Sequence, residues 1–360
     1  MFPATLLSAA DGPVNDALSR SLQRDLDEVG RRFSDELRSD LDCVNALSAH
    51  VQRYRGKMLR PALLLLSARA AGELTEPRPS PGSDASRDAL LTMATVVEMV
   101  HMATLVHDDI LDEAEVRRGG ATINRLAGNE SAVMLGDYLI SHAYHLCSCL
   151  RLPWAGRVVA AATNTVCEGE LLQLHNRGNW ALDESTYREI IRRKTASLCG
   201  VCCRVGARLV GVDEAVTQHL GRYGEQVGEA FQIVDDLLDL TGEEHAVGKT
   251  LGRDVEKGKL TLPLLRMLAS LDDDGRAQAV ALLGRLCGEE GADTATNGHR
   301  REPMRRLAAM VADSGAVEAS LREAWTLVER AKACLVEVTP DSPARQALLG
   351  LADRVVDRGS

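Results

Sequence analysis

The chain has few aromatic residues, no excess of positive charge and no long uninterrupted apolar stretch. Aromatic residues are only 3% of its 360 residues, so its apolar volume comes from Leu, Val, Ala and Met. The net charge of −10 argues against a general nucleic-acid-binding protein. No segment reaches the roughly 18 uncharged apolar residues of a membrane-spanning helix, and the first residues lack the basic start of a signal peptide. We therefore expect no nucleic-acid partner, no transmembrane segment and a cytoplasmic location.

The nine cysteines lack the paired spacings of a zinc ribbon. The densest group is Cys199, Cys202 and Cys203, in a stretch of small residues that favours a helix. A C-x-x-C pair can bind zinc or carry redox chemistry, and that role stays the minor alternative here. Reduced packing cysteines are the main expectation, and they fit a reducing cytoplasm.

Sustained alternation of apolar and polar residues, the pattern of a half-buried strand, is also absent. Helical periodicity instead recurs in 14–50, 62–72, 89–116, 130–150, 153–177, 184–211, 213–241, 261–288 and most of 303–357. Because no composition break separates two halves, we predict one all-α domain over residues 1–360. Polar stretches at 77–86 and 288–298 predict mobile loops, whereas 242–259 is interpreted as a lid or ligand loop.

Two acidic clusters end apolar helical patterns: DDILD at 108–112 and DDLLD at 235–239. In each cluster, carboxylates at positions i and i+4 share one helix face. At about 5 Å they repel by about 3 kcal/mol for an effective dielectric near 20. A single Asp run is most often a solvated helix face, but a duplicated run beside buried helical patterns is not explained that way. We predict that cations neutralise both clusters.

Carboxylates without nearby Cys or His ligands favour Mg²⁺, or Mn²⁺, over zinc. Mg²⁺ keeps several waters and takes phosphate oxygens of a substrate as further ligands. Two clusters facing one another would hold several such ions around one substrate. The sequence therefore predicts an enzyme that acts on a phosphate or diphosphate ester.

Basic residues stand where an anion could bind. The segment RGKMLRP opens a helix with Pro61 at its first position, so Lys57 and Arg60 lie at a helix N-terminus that attracts anions. Arg117 and Arg118 follow the first acidic cluster directly and can form forked bonds to phosphate oxygens. Taken alone, each has an ordinary alternative as surface or helix-end charge.

Three further polar residues are equally ambiguous one at a time. His101 precedes the first acidic cluster by two helical turns, and a histidine on an apolar helix is more often a satisfied core residue. Lys249 and Lys259 stand in the Gly-rich segment after the second cluster.

Together these pieces resemble the trans-isoprenyl diphosphate synthase (polyprenyl synthetase) family, in the family's order from about residue 50 to 265. The matching segments are RGKMLRP, HMATLVHDDILDEAEVRRG, GDYL, CEGELLQL, RRKTASL, FQIVDDLLD and GKTLGRDVEKGK. The resemblance implies an all-α isoprenoid synthase fold, a helical bundle around a central active-site cavity, and usually a homodimer. One departure is Met58, where many relatives carry a second basic residue.

The resemblance also implies site roles. The residues that look like Mg²⁺ ligands are Asp108, Asp112 and Asp235. The supporting catalytic acids are Asp109, Asp236 and Asp239. The isopentenyl diphosphate site looks like Lys57, Arg60, His101 and Arg118. The allylic diphosphate site looks like Arg117, Lys194, Thr195, Gln232, Lys249 and Lys259, with Lys194 also counted as catalytic.

The implied reaction is prenyl transfer: the diphosphate of an allylic substrate departs, and isopentenyl diphosphate attacks the allylic carbon. Ala103 lies five residues before Asp108, about 7 Å along the helix, and its small side chain leaves room for a growing hydrocarbon. The next barrier in the family's order is expected near Cys147, which is also small. We therefore predict a medium or long all-trans product of about C30–C50.

Four alternatives share parts of this pattern. A short-chain farnesyl or geranylgeranyl diphosphate synthase would carry the same motifs. A terpene cyclase would share the first cluster, but it would lack the Lys57/Arg60 site and often carry a mixed Asn/Ser/Glu second motif. His107 beside Asp108 suggests a His-Asp phosphohydrolase, yet no further histidines stand at suitable spacings. A non-catalytic subunit of a heteromeric synthase would not need both acidic clusters.

Overall fold

The computed structural model describes residues 13–54, 56, 58–72, 83–241, 252–288 and 297–357, and the regular structure of this part consists of helices and one short hairpin. Strands β1 (Val116–Arg117) and β2 (Gly120–Ala121) pair antiparallel. A 3₁₀ turn spans Gln52–Tyr54, and a π-helical turn spans Arg192–Ala196. The α-helices are α1 (Pro13–Glu36), α2 (Asp42–Val51), α3 (Leu59–Gly72), α4 (Ser83–Leu111), α5 (Ile123–Cys149), α6 (Pro153–His175), α7 (Glu184–Ile191), α8 (Ser197–Leu209), α9 (Glu214–Thr241), α10 (Arg253–Glu256), α11 (Leu262–Ser270), α12 (Asp273–Gly288), α13 (Asn297–Asp313), α14 (Ala316–Val338) and α15 (Pro343–Asp357).

The predicted all-α class is confirmed, but several helix ends differ from the periodicity. The segment 14–50 contains two helices, because the Asn45 side chain bonds both the backbone N–H and the carbonyl of Ser39 and closes a turn between them. Helix α5 begins seven residues earlier than predicted and contains a kink at Gly128, whose φ is +82°. The predicted loops at 77–86 and 288–298 lie mostly outside the described residues, although 83–86 and 297–298 are helical.

The chain divides into two compact units. The first unit comprises Met1–Asn164, Ser197–Glu225 and Arg330–Arg354; the second comprises Thr165–Ala196, Gln226–Glu329 and Val355–Ser360. The prediction of one domain over the whole chain stays a prediction.

In the first unit, α4 is a core helix that ends in the first acidic cluster. Among the described residues, one helical stretch is long and apolar enough to cross a membrane by length and composition alone, and it is Arg87–Leu111 of this helix. However, 78% of its most apolar window is buried inside the protein, as in the core helix of a globular protein. The expected absence of a transmembrane segment stays a prediction.

Helices α3 and α8 pack closely in the first unit because Gly206 has no side chain. A Cβ at this position would collide with the carbonyl oxygen of Leu64. The thiols of Cys199, Cys202 and Cys203 are buried in this part of α8, and burial raises the pKa of the Cys203 thiol to about 12. All nine cysteines lie in the described residues and none forms a disulfide there; Cys43, Cys149 and Cys167 are exposed, so a packing role fits only the buried ones.

In the second unit, the C-terminal half of α9 carries the second acidic cluster on a buried segment. Val227, Ala230, Ile233 and Val234 are fully buried there. Helix α7 is tied to α11 by an ion pair between Glu184 and Arg266, with 3.1 Å between the charged atoms. This unit therefore presents its acidic residues from a packed helix rather than from a loop.

Candidate active site

The first acidic cluster separates into one buried and two half-buried carboxylates. Asp109 is 1% exposed, whereas Asp108 and Asp112 are half-buried. The hairpin places Arg117 so that its Nε donates to both carboxylate oxygens of Asp109, at 2.9 and 3.0 Å. This ion pair neutralises the inner acid, whereas Asp108 and Asp112 lie one turn apart on the more exposed face of the helix.

The turn after this cluster is strained at two non-glycine residues. Glu113 and Arg118 have φ of 47° and 52°, in the left-handed region that side chains disfavour. Hydrogen bonds stabilise the turn: Ala114 N–H donates to the Asp109 carbonyl at 2.8 Å, and the Thr122 hydroxyl donates to the Ala114 carbonyl at 2.6 Å. Such strain persists only where surrounding contacts over-determine the backbone, which is common at functional sites.

Four of the predicted basic residues come together in the first unit. The Arg118 guanidinium packs over Gly56, where a Cβ would collide with it. Burial holds the pKa of His101 well below its usual range, and the positive charges of Arg60, Arg118 and Arg117 lower that pKa further. His101 is therefore neutral at pH 7, and the arginines supply the positive charge.

The Arg60 guanidinium has one N–H group that could donate a further hydrogen bond. Its Nε is buried and has no hydrogen-bond partner among the described residues. A buried guanidinium N–H without a partner is costly unless an anion completes it. Lys57, predicted for the same site, lies outside the described residues.

The imidazole of His107 belongs to packing between α4 and α5. Its Nε2 lies 3.2 Å from the Val133 carbonyl and 3.8 Å from a carboxylate oxygen of Asp137. Gly136, in the predicted GDYL segment, leaves the space that this ring occupies. These contacts give Gly136 and Asp137 a packing role against His107, and they do not support the His-Asp phosphohydrolase interpretation.

The second acidic cluster shows the same separation as the first. Asp236 is 4% exposed, whereas Asp235 and Asp239 are half-buried. The Tyr187 hydroxyl donates to Asp236 Oδ2 at 2.6 Å, and Gln232 Nε2 donates to Oδ1 at 2.8 Å. Burial raises the pKa of Asp236 well above its usual range, and the negative charge of Asp254 adds to this.

A pocket in the second unit collects most of the predicted allylic-site residues. It is lined, among others, by Lys194, Thr195, Gln232, Asp236, Asp254 and Lys259. The Thr195 hydroxyl donates to Gln232 Oε1 at 2.9 Å. The Lys259 ammonium lies 3.8 Å from Asp254 Oδ1. Lys249 lies outside the described residues.

Lys194 stands in the π-helical turn and is oriented by α6. Its ammonium pairs with the Glu170 carboxylate and donates to Gln173 Oε1 at 3.0 Å. Gly169 allows this close approach, because a Cβ there would lie 2.7 Å from the backbone nitrogen of Lys194. π-helical turns often mark functional positions in helices.

Sequence reasoning missed four polar residues here: Gln173, Asp254 and Tyr187, which line the pocket, and Glu170, which pairs with Lys194. Glu170 and Gln173 lie in the quoted segment CEGELLQL, where their i, i+3 spacing on an apolar helix was an available signal. Asp254 lies in the quoted segment GRDVEKGK, beside the second cluster. For Tyr187, the only signal in the sequence was that aromatic residues are rare in this chain.

The two residues predicted to set product length are both buried in the first unit. Ala103 is fully buried in α4, and Cys147 in α5 is 2% exposed. The Cys147 thiol lies 4.0 Å from the sulfur of Met93, and burial raises its pKa to about 11. Met93 precedes Ala103 by ten residues, roughly 15 Å along α4. The two positions therefore mark two depths below the acidic end of the helix.

The half-buried outer carboxylates are the groups that could hold a metal. Within the described residues, no three His, Cys, Asp or Glu side chains come together as a cage. Two hard oxygen donors one turn apart fit Mg²⁺, which completes its shell with waters and substrate oxygens.

Comparison with known proteins identifies the family. Residues 42–294 match the polyprenyl synthetase family. The octaprenyl diphosphate synthase of Haemophilus influenzae is 33% identical over 95% of this chain and 97% of its own. A polyprenyl synthase from Caulobacter crescentus, solved with calcium and isoprenyl diphosphate, is 34% identical with a TM-score of 0.83, over 98% of this chain and 99% of its own. A decaprenyl diphosphate synthase from Rhodobacter capsulatus is 33% identical with a TM-score of 0.81, over 96% of this chain and 99% of its own. The chain therefore belongs to the polyprenyl synthetase family of prenyltransferases and has the isoprenoid synthase fold.

Proposed function

We propose that this protein condenses isopentenyl diphosphate with an allylic diphosphate, in the presence of Mg²⁺, and forms a medium or long all-trans polyprenyl diphosphate. The observation that carries this proposal is the common arrangement of the two acidic clusters. In each cluster the inner carboxylate is buried and bonded, while the outer pair stays half-buried on one helix face. The more exposed outer carboxylates are therefore the proposed ligands of an external cation.

The proposed Mg²⁺ ligands are Asp108, Asp112 and Asp235. When bound, Mg²⁺ stabilises the negative charge that develops on the departing diphosphate. Asp109 and Asp236 orient the helix ends through their bonds to Arg117 and Tyr187. Asp239 accepts a hydrogen bond from the backbone N–H of Asp254 at 3.2 Å, which holds the following segment beside the cluster.

The acceptor diphosphate is assigned to Arg60, Arg118, His101 and Lys57. The unpartnered Nε of Arg60 and the guanidinium of Arg118 supply fixed N–H donors for phosphate oxygens. Neutral His101 can donate one hydrogen bond without adding charge, and a bound diphosphate would raise its pKa. Gly56 permits this grouping, because any side chain there would displace Arg118.

The allylic diphosphate is assigned to Lys194, Thr195, Gln232, Lys259, Lys249 and Arg117. Glu170 and Gln173 hold the Lys194 ammonium in place before substrate binds, so little reorganisation is needed. After the new carbon–carbon bond forms, a proton must leave, and the released diphosphate can accept it. No side-chain base is then required. Buried apolar residues below the first cluster, such as Met99 and Val100, exclude water from the reacting carbon.

The proposed product length depends on two small side chains, one on α4 and one on α5. Ala103 has the smallest side chain that a chiral residue offers, and Cys147 lies deeper and is also small. These sizes support a long hydrocarbon, and the octaprenyl and decaprenyl relatives point the same way. We propose a product of about C30–C50, whose tail would pass Ala103 at roughly 7 Å and continue beyond the level of Met93.

We also propose a homodimer in the cytoplasm. Helix α5 exposes large apolar side chains at Leu126 (56%), Val133 (43%) and Met134 (64%). Val133 and Met134 follow the kink at Gly128 and are neighbours on the helix surface, while Leu126 precedes the kink. Adjacent exposed apolar residues on one face are typical of a protein interface. A second copy of the chain is the proposed occupant.

The direct test is incubation of the purified protein with Mg²⁺, isopentenyl diphosphate and each of geranyl, farnesyl and geranylgeranyl diphosphate, followed by product mass analysis. We expect all-trans diphosphates longer than C20. Phosphate release without isopentenyl diphosphate would indicate a phosphohydrolase, and cyclised hydrocarbons a terpene cyclase. A product of C20 or shorter would indicate a short-chain synthase, and no product would indicate a non-catalytic subunit.

The acidic clusters give a matched variant test. Asp108→Ala and Asp235→Ala should each reduce turnover by about 10²-fold or more, because the leaving diphosphate is then less well neutralised. Both side chains are half-buried, so the fold should be retained. Glu130→Ala removes an exposed acid from α5 and should keep wild-type turnover. Near-wild-type turnover of either Asp variant at saturating Mg²⁺ would remove the metal assignment.

A further inference from the structure

Tyr187 is a buried hydroxyl donor in the second unit that belongs to none of the predicted motifs. It lies on α7, and only 3% of it is exposed. Its hydroxyl donates to Asp236 Oδ2 at 2.6 Å, an ordinary distance for a hydroxyl bonded to a carboxylate. A buried phenol normally finds a partner, but this one has found the inner carboxylate of the second acidic cluster.

Helix α7 holds Tyr187 in a fixed place. Asp183 caps the helix by accepting a hydrogen bond from the Thr186 N–H at 2.7 Å. Glu184 pairs with Arg266 of α11, and Arg188 pairs with Glu323 of α14 at 3.0 Å. These partially buried pairs fix both ends of the short helix, so the hydroxyl position is set before any ligand binds.

A chain of hydrogen bonds leads from Tyr187 through Asp236 and Gln232 to Thr195 in the π-helical turn. Asp236 Oδ1 accepts from Gln232, and Gln232 Oε1 accepts from the Thr195 hydroxyl. Both oxygens of Asp236 are therefore engaged, and its carboxylate cannot rotate without breaking a bond. Asp235 is the next residue on the same helix, so the bonds that hold Asp236 also hold the stretch of backbone from which Asp235 projects.

We propose that Tyr187 is a positioning residue for prenyl transfer: its bond to Asp236 orients Asp235 toward Mg²⁺ and, through Gln232, keeps Thr195 aimed at the allylic diphosphate. This inference rests on the proposed function. Outer hydrogen-bond partners of metal-binding groups typically change metal affinity or activity by 10–100-fold when removed.

The test uses Tyr187→Phe, which deletes one oxygen and keeps the ring. The Mg²⁺ concentration for half-maximal activity should rise by about tenfold or more, with a lower kcat. The KM for isopentenyl diphosphate should stay within about twofold, because its proposed site uses other residues. Calorimetric binding of Mg²⁺ with inorganic diphosphate should weaken in parallel, and this readout needs no turnover.

Tyr223→Phe is the matched control. Tyr223 is also fully buried, and its hydroxyl also donates one hydrogen bond, to the Leu348 carbonyl at 2.7 Å. Both variants should therefore lose similar thermal stability, but only Tyr187→Phe should change the Mg²⁺ dependence. Equal Mg²⁺ dependence and equal diphosphate binding in the two folded variants would overturn the inference. A wild-type protein without condensation activity would instead overturn the proposed function, and the calorimetric comparison would still judge Tyr187.

Discussion

The three aspartates of each acidic motif have different environments although the sequence presents them alike. Asp109 faces Arg117, and Asp236 faces Tyr187 and Gln232. The inner position is one residue from the first acid, about 100° around the helix, so it points into the protein when the outer pair points out. Burying a carboxylate is unfavourable unless it is paired or hydrogen-bonded, and both inner acids meet that condition.

His101 gives a pH prediction at the residue scale. Its pKa in the folded protein is held well below 6.5 by burial and by three arginines, Arg60, Arg118 and Arg117. Between that pKa and about 6.5, the unfolded chain binds a proton that the folded chain does not, so the free energy of unfolding decreases as pH falls through this window. Above about pH 6.5 the histidine is uncharged in both the folded and the unfolded chain, so it no longer lowers the free energy of unfolding.

We expect His101→Gln to melt with a weaker pH dependence than wild type below about pH 6.5, since glutamine does not titrate. Thermal melting at a series of pH values measures the effect. His175→Gln replaces an exposed histidine on α6 and serves as the control. Identical pH slopes for wild type and His101→Gln would contradict burial of an uncharged imidazole.

At the scale of elements, the contact between α6 and the π-helical turn depends on Gly169. Gly169→Ala should push the turn away, because its Cβ would lie 2.7 Å from both the Lys194 nitrogen and the Arg193 Cβ. Relieving that overlap costs about 1–3 kcal/mol and displaces Lys194. We expect the KM for the allylic diphosphate to rise by about tenfold, with a smaller change for isopentenyl diphosphate.

Gly156→Ala on the same helix is the control for this variant. Among the described residues, no atom outside its own stretch of helix lies within 4 Å of the position that its Cβ would take, so the change should stabilise the helix by up to about 1 kcal/mol. Unchanged allylic KM in a folded Gly169→Ala protein would show that Lys194 tolerates the displacement.

The packing of α4 gives a prediction for product length. Ala103→Phe should block a tail that runs down this helix and shift products to C15 or C20, while the first condensation continues. Ala94→Phe is the matched control, since Ala94 is equally buried but lies nine residues away, half a turn around the helix. Mass analysis of the products of both variants measures the shift in product length. Unchanged product lengths in Ala103→Phe would mean that Ala103 only packs against its neighbours.

At the scale of the whole molecule, the exposed apolar face of α5 predicts self-association. Wild-type protein should elute with light-scattering mass twice the 38.9 kDa of the chain. Met134→Asp places a charge on that face and should give a monomer, because an unpaired charge in an interface is strongly unfavourable. Leu41→Asp changes another exposed apolar residue, 55% accessible, and should leave the dimer intact. A monomeric wild type would contradict the homodimer.

The helical class and the chemistry of the motifs were accessible from sequence because both are local properties. Apolar periodicity depends on residues three and four apart, and the outer carboxylates of DDILD and DDLLD are neighbours on one turn. The order of the acidic and basic segments was enough to indicate the family, which the comparisons confirmed.

Tertiary structure decided which acids of the site are buried and which basic residues are held in place. Tyr187 reaches Asp236 across 49 residues of sequence, and Glu170 reaches Lys194 only because Gly169 lets two segments meet. The left-handed backbone at Arg118 likewise has no signal in its own residue type. Burial and hydrogen bonding of these groups depend on partners from distant segments, and such contacts leave no periodic pattern in the chain.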